Sequence, residues 1–147
     1  MFKFRLDTIL RYRKQIEESE KRDLGKIRSR LSAAENKKNA FQESAKNSGF
    51  SLDRKKEAGE VTIDDILFHY NFCDGMADRV EHQKKVIKKI EKKVEDQRIK
   101  VVEAMRKRQV LSTLHSHRYR EYLMEENRAD QKFLDEIVAT RQGKEIT

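Results

Sequence analysis

The sequence predicts an all-α protein: a two-helix antiparallel coiled-coil hairpin whose longer second helix overhangs at the end holding both termini. Three observations carry this. The chain has no proline, and residues 62–141 contain a single glycine, Gly75. The same stretch repeats apolar residues at three- and four-residue steps: Val80, Ile87, Ile90, Val94, Val101, Ala104 and Leu111, with Gln83, Gln97 and Arg108 in the remaining positions. That is an a/d heptad seam, the mark of a coiled coil. Finally, 41% of the 147 residues are charged and 36% are hydrophobic, a balance that suits long helices better than a globule with a wide core. A helix over 62–141 would be roughly 120 Å long at its 1.5 Å rise. It must therefore be a rod whose apolar stripe needs a partner.

The first helix is expected over residues 7–57. Asp7 has the residue type of an N-cap, with Leu6 before it as part of an apolar staple. Leu10, Ile16, Leu24, Ile27, Leu31, Ala34, Phe41 and Ala45 then form a stripe whose phase slips by one residue between Ile16 and Leu24. Glu17 with Lys21, and Glu18 with Arg22, stand four apart in the favourable order for pairs on a solvated face. Gly25 lies inside the helix at a cost of about 1 kcal/mol relative to alanine. Asn47-Ser48-Gly49 is one candidate stop, with residues 47–58 frayed beyond it. Gly59 is the better break, which puts the turn over 58–61.

The second helix is expected over 62–141, opened by Thr62 and Asp65 in capping-box spacing. Two amphipathic helices joined by a short turn lie antiparallel. With the turn centred on Gly59 and Glu60, residue i faces residue 119 minus i, so Leu6 faces the neighbourhood of Thr113. The second helix then runs on for about 28 residues, roughly 40 Å. This overhang carries Leu114, Tyr119, Tyr122, Leu123, Met124, Phe133, Leu134, Ile137 and Val138. Such contiguous apolar surface marks an interaction site unless a second copy or the chain's own tail covers it.

The net charge of +8 is unevenly placed. Between Lys84 and Arg108 stand eleven basic and four acidic residues, a net of +7. Such a face keeps a helix soluble. It also permits an alternative function, a basic coiled-coil module that binds anionic membrane surface or nucleic acid. No aromatic interrupts the run to stack on bases. The single cysteine, Cys73, forms no internal disulfide, as expected in a reducing cytoplasm. No apolar run approaches 18 residues, so no membrane span is expected, and the first residues do not read as a secretory signal. Enzyme chemistry has no foothold. His115 and His117 point apart on a helix, and His69 with Cys73 offers only two ligands on one face. The five glycines form no phosphate-binding motif, and the carboxylates stand on solvated faces. No cofactor is expected.

Both ends of the chain resemble one family. The opening Phe2-x-Phe4-x-Leu6-x-x-Ile9-Leu10-x-Tyr12-Arg13 is similar to the start of flagellar FliJ proteins, small components of the flagellar type III export apparatus. The ending Glu126-Asn127-Arg128-x-Asp130-Gln131-Lys132-x-x-Asp135-Glu136 looks like that family's C-terminal signature. The resemblance implies a non-enzymatic stalk like the central subunit of rotary ATPases, located in the cytoplasm and peripheral to the inner membrane at the flagellar base. Its termini end would enter the export ATPase hexamer through Leu123, Asp130, Gln131, Phe133, Leu134 and Ile137. Aromatic residues early in the second helix, here Phe68 and Phe72, would contact the cytoplasmic domain of the export gate. The family is also described as a general chaperone or an escort of export substrate chaperones. In the same stretch, Ile66, Tyr70 and Cys73 have the spacing to enter the seam.

Overall fold

The computed structural model describes residues 1–144. The last three residues of the single domain expected over 1–147 lie outside them. Two helices account for the fold, α1 (Asp7–Glu57) and α2 (Ile63–Lys144). There is no strand among the described residues.

Helix α1 starts one residue earlier in its bonding than the N-cap assignment required. The Leu6 carbonyl accepts the first intrahelical bond, from the Leu10 N–H at 2.9 Å, and the Asp7 N–H donates to the Phe4 carbonyl at 3.1 Å. Leu6 thus holds the capping position, and Asp7 sits in the first turn. There its carboxylate meets the positive end of the helix dipole and pairs with Arg11 at 2.7 Å. The helix runs unbroken through Asn47-Ser48-Gly49. It ends where Gly59 takes φ +70°, a left-handed conformation that glycine adopts without Cβ strain. The Gly59 N–H reaches the Lys56 carbonyl (3.2 Å) and the Glu60 N–H the Lys55 carbonyl (3.0 Å), the two bonds of a Schellman ending.

The capping box that opens α2 is formed. The Asp65 N–H donates to the Thr62 hydroxyl at 3.2 Å, and the Thr62 N–H donates to the Asp65 carboxylate at 3.0 Å. Lys55, from the last turn of α1, adds an ion pair to the same carboxylate at 3.0 Å. The Thr62 backbone bond, then the Lys55 bond, hold the Asp65 carboxyl below the usual carboxylate range.

The packing divides into two compact units, each built from a segment of both helices. In the unit formed by Ser19–Val101, Leu24, Ala34 and Leu52 of α1 are buried with Met76, Val80 and Ile87 of α2. Two glutamines are buried among them. Gln83 donates to the Ala34 carbonyl at 3.0 Å, and Gln97 donates to the Glu20 carbonyl at 3.0 Å and to the Glu20 carboxylate. These pairs run antiparallel, close to the register counted from the turn. Amide donors that reach across the seam are satisfied there, so the polar heptad positions carry no unpaired cost.

At the start of α2 the seam takes Ile66, His69, Cys73 and Met76, not Ile66, Tyr70 and Cys73. Tyr70 is 63% exposed. The spacing from Cys73 back to His69 is four residues, which keeps the inner face. Tyr70 stands 100° further round.

The unit formed by Met1–Glu18 and Val102–Thr147 buries Leu10, Glu17 and Ala104. Glu17 was expected on a solvated face. It instead enters the seam at the phase slip after Ile16, with its side chain only 6% exposed, and accepts from the Arg108 guanidinium. One residue of slip thus brings an acid inward, opposite the basic heptad position that neutralises it.

Candidate interaction surfaces on the second helix

The N-terminal residues before α1 are extended, so Phe2 and Phe4 point the same way, and both meet α2. The Phe4 ring packs edge-on to His115 at 5.0 Å between centroids. Phe2 contacts His115 at 5.5 Å, Tyr119 at 5.4 Å and Tyr122 at 5.6 Å. The His115 and Tyr119 contacts are edge-to-face, a preferred aromatic geometry, and the Tyr122 ring is tilted at 44°. The Tyr122 hydroxyl donates to Glu126, and that bond pushes the phenol pKa up. One face of the overhang is therefore contacted over its first two turns, at His115, Tyr119 and Tyr122, whereas it was expected to be bare from about residue 114; Leu114 and Tyr119 stay exposed. The Phe-x-Phe alternation just ahead of a helix start was the signal for an extended strap. Read only as a terminal motif, it gave no sign of where the rings would land.

Among the described residues, none beyond Tyr122 is covered. Every position over 123–144 is helical and exposed, a length of roughly 33 Å. Leu123, Asp130, Leu134 and Ile137 fall at steps of seven, four and three, on one stripe. Phe133 and Gln131 flank it on opposite sides. Phe133 is 64% exposed and Leu134 61%. The stripe does not continue the packed seam through Ala104, Arg108, Leu111 and His115. It is displaced by one residue, about 100° of rotation.

The second surface lies at the start of α2. Phe68 is 70% exposed, and its ring stacks on Phe72 at 6.2 Å and 18°. Phe72 is half-buried. Phe50, which could have folded over them, is itself exposed, whereas Leu52 is in the core. Beside them His69 Nδ1 and the Ser48 hydroxyl share a hydrogen bond of 2.8 Å, and Cys73 Sγ lies 3.6 Å from His69 Nε2. His69 is thus a hydrogen-bonded residue at the core's edge. No group of three or more metal-ligating side chains occurs among the described residues, and no helix there is long and apolar enough to cross a membrane.

The basic run from Lys84 to Arg108 is exposed except at its seam positions. Locally, Lys84 pairs with Glu81 at 3.2 Å and Arg98 with Glu95 at 2.6 Å. The Glu95 carboxyl is held low by the Arg98 hydrogen bond.

A family model described as flagellar FliJ protein matches residues 2–145, nearly the whole chain. The chain belongs to the flagellar FliJ family. No curated protein and no solved structure matches it. FliJ membership gives the chain a role in flagellar protein export. The two-helix architecture agrees with the hairpin expected from the heptads.

Proposed function

We propose that this chain is the non-enzymatic central stalk of the flagellar export apparatus. In this reading it acts as a single coiled-coil domain in the cytoplasm, peripheral to the inner membrane at the flagellar base. The end bearing the termini inserts into the export ATPase hexamer and promotes its assembly and activity. Leu123, Asp130, Gln131, Phe133, Leu134 and Ile137 make that contact. Phe68 and Phe72 meet the cytoplasmic domain of the export gate, and the chain also serves as an escort for export substrate chaperones.

The observation that carries the reading is the uncovered distal helix. A lone helix of some twenty residues is marginal in water, and its wet Phe, Leu and Ile side chains each forgo roughly 1.5–3 kcal/mol of burial. An enclosing ring would supply both the order and the burial. The test is the triple substitution Phe133→Asp, Leu134→Asp, Ile137→Asp. Circular dichroism should show the hairpin intact, while stimulation of the export ATPase is lost. Unchanged stimulation would remove this surface from the mechanism.

A further inference from the structure

The first turns of α2 carry a second exposed line that the gate contact does not use. Ile63, Leu67, Tyr70, Asp74, Asp78 and Glu81 follow at steps of four, three, four, four and three, which holds them to one face. All six are exposed. This line and the Phe68–Phe72 stack lie on opposite flanks of the seam, about 150° apart around the helix. A helix apolar on its seam and on both flanks is more than a two-helix coil requires.

The charge of this stretch is as distinctive as its apolarity. Residues 60–82 hold six acidic residues (Glu60, Asp64, Asp65, Asp74, Asp78, Glu81) against one basic, Arg79, a net of −5 in a chain of net +8. Asp65 serves the cap and Lys55. Asp74 and Asp78 stand one and two turns beyond Tyr70 on its own face. The line is therefore apolar at its N-terminal half and anionic at its C-terminal half.

We infer that the Ile63–Leu67–Tyr70–Asp74–Asp78 face docks a basic amphipathic helix of a partner protein. Its apolar side chains pack on Ile63, Leu67 and Tyr70, and its lysines or arginines meet Asp74 and Asp78. Charge complementarity selects this occupant. A second copy fits less well. Its basic run turns Ile87, Ile90, Val94 and Val101 into its own seam and brings charge with little apolar surface. Nucleic acid and anionic lipid are repelled by the acids.

The chain has no tryptophan, so Tyr70→Trp reports on this face alone and Phe68→Trp on the opposite flank. The full chain carrying each reporter is titrated with a synthetic amphipathic helix, leucine on one face and lysine elsewhere, and with its glutamate counterpart. The lysine peptide should shift Tyr70→Trp emission to the blue and leave Phe68→Trp unmoved. Asp74→Lys with Asp78→Lys should weaken that binding at least tenfold, with helicity unchanged. The inference is overturned if the glutamate peptide binds equally or if both reporters respond alike. It is equally overturned if the Tyr70→Trp chain is blue-shifted and dimeric before any peptide is added. None of these results touches the distal surface, so the proposed stalk role stands or falls separately.

Discussion

Residues 80–111 and residues 123–144 of α2 draw on the same residue types, yet only the first stretch buries any of them. The packed stretch encloses Gln83, Gln97, Arg108 and Ala104, and its apolar contribution comes from modest Val and Ile side chains. The distal stretch keeps Phe133, Leu134, Ile137 and Val138 in water. Along α2, burial therefore follows register as well as hydropathy. Where α1 is opposite, even a glutamate is taken inside with its counter-ion. Where α1 is no longer opposite, large apolar side chains remain outside. The contrast separates residues that hold the fold from residues available to a partner, and it can be tested directly.

The largest effect should come from breaking the buried pair. Arg108→Leu leaves the Glu17 carboxylate in the seam and should cost on the order of 3 kcal/mol, read from urea denaturation. Adding Glu17→Leu should restore stability to the wild-type level or above. A double variant no more stable than Arg108→Leu would mean that the pair does not act as a unit. Next, Leu24→Ala should cost about 2–3 kcal/mol, whereas Leu134→Ala should cost under about 0.5 kcal/mol. Equal losses would show that the distal helix is packed in solution. Within the start of α2, Phe72→Ala should lower the melting temperature more than Phe68→Ala, since only Phe72 is half-buried, and both should weaken gate binding. Gly25→Ala should stabilise by about 1 kcal/mol, because the added methyl meets nothing within 4 Å.

The smallest expected effect concerns pH. The Asp65 carboxyl is lowered below its ordinary 3.8. Its contribution is therefore complete above that value and is lost as pH falls through the lower folded-state value. An acid titration of the melting temperature should show this component vanish in Asp65→Asn, which has no carboxyl to titrate.

Heptads, the capping box and the glycine break were legible because each is a local rule with few alternatives. The Glu17–Arg108 pair was not. On its own helix Glu17 has a favourable partner in Lys21, and only the cross-helix register reveals that it points inward. The extended Phe2–Phe4 strap was missed for a similar reason: its partners lie more than a hundred residues away. At 66–73 several apolar residues competed for the seam, and composition alone could not choose His69 over Tyr70. On the inner face His69 shares a hydrogen bond with Ser48, a contact that hydropathy patterns do not register.

The one-residue displacement of the distal stripe governs how association must proceed. A protein gripping Leu134 and Ile137 approaches from a quarter-turn away from the side that Glu17 and Leu10 already occupy. Capture is thus additive. For the proposed ring contact nothing has to be unzipped first, so the encounter can be fast.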